Sequence, residues 1–276
     1  MKVLDGKELA EFIQERQARQ VRALRQAQQV APKLAIVVTI DHPAIEIYMR
    51  MKNRYGAEIQ IDVDIHRIDQ SRALETIAVL NADPLVHGII VQLPLADPTT
   101  TDAVVDAVAP SKDVDALGKN AIFDPATPMA ILWLLAGYNI DLKQKKVLLV
   151  GRGKLVGAPL EKIMLQSGVD VSVADRTTTD LQVVCQTADI IITATGQPGI
   201  ITAAMIKPGA VVVDAGVAGE HGKTVGDLAA DVYERPDLTV TPTKGGVGPL
   251  TICALFDNVI RAAREAAALA SVAVSP

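Results

Sequence analysis

The chain has 276 residues, a formal net charge of −5 with 27 Lys plus Arg against 32 Asp plus Glu, 49% hydrophobic residues and 3% aromatic ones. That balance is that of a soluble globular protein and excludes disordered and collagen-like classes, while the length allows one large domain or two. Too few cations and rings are present for a phosphate-attracting, base-stacking surface, so no nucleic-acid partner is expected. Cys185 and Cys253 are too few for a disulfide framework or a zinc site and fit a reducing compartment. Asp5, Lys7 and Glu8 interrupt the start, where a secretory signal would be apolar. The apolar runs 130–137 and 266–274 fall short of the ~18 residues of a spanning helix. The expectation is a cytoplasmic protein with no membrane anchor.

Leu9, Phe12, Ile13, Val21 and Leu24 recur at near-helical spacing over 7–28, which predicts one long amphipathic helix that covers a sheet face. Strands are predicted over 33–40 (KLAIVVTI), 58–68 (EIQIDVDIHRI) and 88–95 (GIIVQLPL), with helices over 43–55 and 71–81 between them. This alternation is that of a mostly parallel α/β domain. The segment 113–128 has no clear period and marks a boundary near Gly118; an apolar connecting helix follows over 129–137. A second set of strands, 145–151, 169–175, 189–196, 210–216 and 237–243, reads as a separate doubly wound sheet. The Ala-rich stretch 250–269 is a closing helix that could pack back on the first domain.

In VLLVGRGKLVGAP (147–159) a buried-type strand runs into Gly151, Gly153 and Gly157 and then a helix start. Glycines there let backbone approach a pyrophosphate, and the helix N-terminus supplies free N–H groups and partial positive charge. The G-x-G-x-x-x-G spacing is one residue longer than the usual dinucleotide fingerprint, and a plain strand-to-helix turn is its other reading. Asp175, at the end of the next strand, is placed to bond the ribose 2′-OH of NAD. Arg152, Arg176 and Thr177 suit a 2′-phosphate instead, which favours NADP with NAD still possible; Asp175 and Arg176 could equally be solvated surface charges.

Tyr48 and Lys52 are four apart on a predicted helix and share a face. Alone, Y-x-x-x-K is a common chance match, and its order relative to Gly151 is opposite to that of the short-chain dehydrogenases. Gln92 interrupts a strand at its carboxyl end, where open α/β sheets bind ligands, and Asp115 sits in the irregular exit segment. Each has a plain reading, as an edge residue and a turn former. The loop TPTKGGVGPLT (241–251) is either a connector or a backbone surface for a flat ligand. His42, His66, His87 and His221 lack metal-ligand spacing, and no metal is assigned.

Taken together these motifs give the chain a family resemblance. LDGKELA (4–10), Pro43-Ala44 followed by Tyr48 and Lys52, VHGIIVQLPL (86–95), KDVD (112–115), P-x-T-P (125–128), Gly151-Arg152 with LVGAPL (155–160), ADIIITATGQPG (188–199), VVVDAG (211–216), VGD (225–227) and GGVGPLT (245–251) occur in order along nearly the whole chain. The sequence resembles the bifunctional methylenetetrahydrofolate dehydrogenase/cyclohydrolase family. The resemblance implies a two-domain α/β fold: an N-terminal folate-binding catalytic domain over 1–118 plus 252–276, and a C-terminal Rossmann-type NAD(P)-binding domain over 119–251, with the active site in the interdomain cleft.

It also implies oxidation of 5,10-methylenetetrahydrofolate to the methenyl form by hydride transfer to NADP, then hydrolysis to 10-formyltetrahydrofolate, as part of one-carbon metabolism. Tyr48 would line the substrate's rings, Lys52 with Gln92 would carry acid–base work, and Asp115 would bond the pterin; Val91, Leu93, Gly246 and Pro249 complete the implied substrate contacts. Gly151, Arg152, Gly153, Arg176, Thr177, Thr195, Gly196 and Val217 are the implied cofactor residues. The family is usually NADP-dependent and a homodimer. This chain departs from its pattern at Gly153 (usually Ser), Ile45 (usually Ser), the segment after Asp115 (usually Gly-Phe-His-Pro), Ala126 (usually Cys), Ala130 (usually Gly), Lys244 (usually Pro) and Asp175. Other readings are a dehydrogenase with weak cyclohydrolase activity or NAD preference, a shikimate- or amino-acid-dehydrogenase relative, and a non-catalytic folate- or nucleotide-binding regulator.

Overall fold

The computed structural model describes residues 1–220 and 223–274; His221 and the last two residues lie outside them. The chain divides into two compact units, Met1–Glu11 with Thr127–Thr251, and Phe12–Ala126 with the segment that begins at Ile252. The first boundary differs from the sequence-based one because β1 (Lys2–Val3) pairs in parallel with a strand from the second half, a two-residue element too short to carry a period. The second falls after residue 126, inside the apolar helix, which starts three residues earlier than its periodicity suggested.

The unit that contains most of the N-terminal half begins within α1 (Gly6–Ala27). Its buried stripe includes Ala10, Gln17, Val21 and Leu24, whereas Phe12, assigned to that stripe from the sequence, is 66% exposed. Gln17 can be buried because its amide donates to the Cys253 carbonyl (2.8 Å) and to Asp257 Oδ1, while its oxygen accepts from Tyr55 Oη (2.6 Å). The chain then runs through β2 (Lys33–Val38), α2 (Pro43–Ile59), β3 (Asp62–Arg67), α3 (Ala73–Ala82), β4 (Gly88–Val91) and α4 (Thr101–Asp106). The strand predicted from residue 58 starts four residues later. Gln60, at φ 64°, closes α2, with the Gln60 and Ile61 N–H groups donating to the Ala57 and Gly56 carbonyls, and these bonds hold 58–60 in the helix end. The three strands are parallel in the order β3-β2-β4.

After α5 (Ala126–Gly137) come β5 (Val147–Val150), α6 (Gly157–Gln166), β6 (Val171–Ala174), α7 (Leu181–Thr187), β7 (Ile190–Thr193) and β8 (Val211–Asp214). The hairpin β9 (Ala218–Glu220) and β10 (Lys223–Val225), β11 (Thr239–Val240) and α8 (Val247–Val274) complete the chain. The six-stranded sheet has the order β1-β11-β8-β7-β5-β6 and its pairs are parallel. Its central strands β5 and β7 are buried at every residue, the pattern of a sheet covered on both faces. The hairpin was not foreseen, and α8 begins inside the segment 241–251 read from its glycines and prolines as a loop. No helix among the described residues is long and apolar enough to cross a membrane, and no described group of three or more His, Cys, Asp or Glu could hold a metal ion.

In α8, Phe256 is fully buried and its ring lies 5.1 Å from that of Tyr55. Phe256→Ala is expected to lower the stability of the unit formed by Phe12–Ala126 and the segment from Ile252 by about 3–5 kcal/mol, read as an earlier chemical-denaturation midpoint by circular dichroism.

Candidate active site

In the three-stranded sheet β2 is central: the chain leaves it for β3 through α2 and returns to its other side at β4 through α3. Ligands of open α/β sheets gather beyond the carboxyl ends of the strands at such a reversal. Gln92, the first residue beyond β4, extends the ladder by donating its N–H to the Val37 carbonyl (2.9 Å). Its Nε2 donates to the Leu93 carbonyl (2.9 Å), which turns Oε1 toward Lys52, whose Nζ donates to it at 3.0 Å.

Lys52 comes from α2 and is partly buried. Removal from water pushes its ammonium below the ordinary lysine range, and Asp115 partly opposes this. Asp115 responds in the opposite sense: burial raises its carboxyl above the ordinary range and Lys52 pulls it back. Three of the residues singled out from the sequence are therefore brought into one electrostatic unit. Tyr48, one turn before Lys52, is 41% exposed. Val91 is buried in the hydrophobic core, so only its main chain is available to a ligand.

Asp115 is presented by a turn that sequence reasoning left without a cause. Asp113, 4% exposed, accepts from the Gly118 N–H (2.8 Å), and the Ile89 N–H donates to the Lys112 carbonyl (2.7 Å). Asn258 of α8 donates to the Val114 and Asp124 carbonyls, both at 2.9 Å. Ala116, directly after Asp115, has φ 56°, a left-handed value that glycine adopts more readily. Asp113 lay within the KDVD motif, but Asn258 had no local signal, because its partners are more than 130 residues away.

In the six-stranded sheet the order reverses between β5 and β7, and the glycine loop leaves β5 there. Gly151 has φ 100°, and a Cβ on it would stand 2.7 Å from the Ala194 carbonyl oxygen. A Cβ on Gly157 would overlap the Gly151 carbonyl, so that glycine lets α6 start against the loop. Gly153 has nothing within 4 Å of where its Cβ would be, which leaves open space over the loop. Beside it Gly196, at φ 66°, is exposed, and Val217 is 60% exposed. An open glycine backbone ahead of a helix N-terminus, with exposed turns after β7 and β8, fits a dinucleotide.

Arg152 and Asp175 are both engaged. Arg152 Nε donates to Glu161 Oε2 at 2.7 Å. Asp175 Oδ1 accepts from the Thr177 N–H (2.8 Å) and Oγ1 (2.6 Å), bonds that hold its carboxyl below the usual range. Arg176 is exposed. Gly246 and Pro249 belong to this unit, Gly246 in a loop against the start of α1, where Lys7 N–H donates to the Gly245 carbonyl (3.0 Å), and Pro249 in the first turn of α8.

Residues 4–115 match the family model described as the tetrahydrofolate dehydrogenase/cyclohydrolase catalytic domain, and residues 125–267 match that of its NAD(P)-binding domain. The bifunctional protein FolD of Moorella thermoacetica is 38% identical, with 95% of this chain and 99% of that protein aligned. Among solved structures, the bifunctional enzyme FolD of Campylobacter jejuni superposes with a TM-score of 0.90 at 34% identity over 96% of this chain and 99% of that one. The methylenetetrahydrofolate dehydrogenase-cyclohydrolase of Trypanosoma brucei, complexed with NADP cofactor and inhibitor, gives a TM-score of 0.88 at 27% identity over 95% and 97%. With both units matched and relatives aligned over almost their full length, the chain belongs to the tetrahydrofolate dehydrogenase/cyclohydrolase family.

Proposed function

We propose that this chain oxidises 5,10-methylenetetrahydrofolate to 5,10-methenyltetrahydrofolate and hydrolyses that product to 10-formyltetrahydrofolate. The observation that carries the reading is the Lys52–Gln92 hydrogen bond beside Asp115, with the Lys52 ammonium weakened by burial. Hydride transfer chiefly requires two rings held in register. A bound nicotinamide dinucleotide supplies the hydride acceptor. Gly151, Gly153, Thr195, Gly196 and Val217 are the residues assigned to hold it, and Tyr48 is assigned to the substrate's rings.

Hydrolysis makes a different demand. Water adds through oxygen to the methenyl carbon and gives up one proton, the carbon–N5 bond breaks with its electron pair going to N5, which takes up the remaining hydroxyl proton as the formyl C=O forms, and the formyl group stays on N10. A lysine that loses its proton more readily than usual can take that proton, Gln92 orients its amine, and Asp115 bonds the pterin. Lys52→Met is therefore expected to cut the hydrolysis of methenyltetrahydrofolate about 10²–10⁴-fold and to harm hydride transfer less; equal losses in a two-step spectrophotometric assay would refute the assignment. Accumulated methenyl product in the unaltered protein would support a dehydrogenase with weak hydrolysis, and no turnover with either cofactor would support a binding regulator.

The pH dependence has a defined sign. Hydrolysis should rise with pH as the Lys52 amine deprotonates, and because Asp115 raises that group's pKa, Asp115→Asn should move the rising limb to lower pH. An unmoved limb, or one moved upward, would count against the coupling.

NADP is the assigned cofactor. Arg152 and Arg176 support it through their affinity for a phosphate, and Asp175, held ionised by Thr177, is the opposing feature. Initial rates should give a higher kcat/KM with NADP than with NAD; equal values or the reverse order would reassign it. A homodimer is the reading for assembly, and light scattering should return twice the chain mass.

A further inference from the structure

We infer that Asp227 is a positioning residue that sets dinucleotide affinity by pinning the turn after β7. The inference rests on the assignment of Thr195 and Gly196 to the cofactor, and no role was attached to Asp227 from the VGD motif that contains it. Asp227 is fully buried. Its Oδ2 accepts from Thr193 Oγ1 at the end of β7 and from the Thr195 N–H at 2.7 Å, and its Oδ1 accepts from the Gln197 N–H at 3.0 Å. These donors are neutral and span residues 193–197, with exposed Gly196, at φ 66°, between the two main-chain donors. If the turn moved, a buried carboxylate would lose its compensation, so the turn is held at a cost no exposed loop would carry.

A second carboxylate holds Asp227 itself. Asp214, at the end of β8, accepts from the N–H groups of Gly216 (2.9 Å), Asp227 (3.1 Å) and Leu228 (3.1 Å), and its own N–H donates to Thr241 Oγ1 (2.9 Å). Glycines make the approach possible on both sides: a Cβ on Gly216 would overlap the Asp227 carboxylate, and one on Gly226 would overlap that of Asp214. The segments after β7 and β8 and the return through 225–228 are thus joined by two carboxylates, the buried Asp227 and the half-buried Asp214. The side of the loop that faces Asp227 is saturated, which leaves the outer face of Gly196 for a ligand.

The test is titration calorimetry of NADP and NAD on Asp227→Asn, Thr193→Val and Thr193→Ser, with cyclohydrolase activity measured without dinucleotide as a second readout. Asp227→Asn should weaken dinucleotide binding about tenfold or more, the value of a hydrogen bond to a charged group. Thr193→Val should follow in the same direction, Thr193→Ser should restore binding, and cyclohydrolase activity should persist in all three. Unchanged affinity in both Asp227→Asn and Thr193→Val, or parallel loss of binding and cyclohydrolase activity in both, would overturn the inference. An unaltered protein that bound no dinucleotide would instead refute the cofactor assignment, and this inference with it.

Discussion

A parallel strand pair cannot be closed by a tight turn; each needs a crossover, and in both sheets of this protein successive crossovers leave a central strand in opposite directions. From β2 the chain goes first to β3 and then back across to β4; from β5 it goes to β6 and back to β7. Each reversal parts the loops beyond the strand ends. Gln92 and the Lys52 helix stand at one gap and the glycine loop with the turn after β7 at the other, so the polar residues of this chain are placed by strand order more than by local sequence.

Lys52 illustrates what such a position does to an ordinary side chain. On a solvated helix face it would be a surface cation. Beside Gln92 it keeps one good acceptor while losing water, and the loss of water pushes its ammonium below the ordinary lysine range. Asp115 limits that shift without abolishing it, so the site holds a base and an acid whose ionisations depend on each other. The turn that carries Asp115 is itself built from buried polar contacts, through Asp113 and Asn258. Placing a titratable group here therefore uses more residues than the group itself.

The same economy governs the nucleotide unit. Its visible signature is glycine, but glycines only make room: Gly151 and Gly157 allow loop and helix to approach, and Gly216 and Gly226 allow two carboxylates in. What gives those turns a single conformation is Asp214 and Asp227, each satisfied by main-chain donors.

Much of this was legible in the chain alone. Hydrophobic alternation and β-branched runs located the main strands, and the order of short motifs identified the family, because both signals are local or simply ordered along the chain. The ends of elements were less so: Gln60 closes α2 by a backbone conformation that glutamine does not advertise, and Phe12, at helical spacing, is nonetheless exposed. Strand β1 is stable only as an addition to β11, more than 230 residues on. Composition and motif order thus determined the fold class and the chemistry to look for. Only the tertiary structure decided that Lys52 loses its water, that Arg152 is already paired with Glu161, and that Asp227 grips the turn after β7, since burial and long-range pairing belong to no single stretch of sequence.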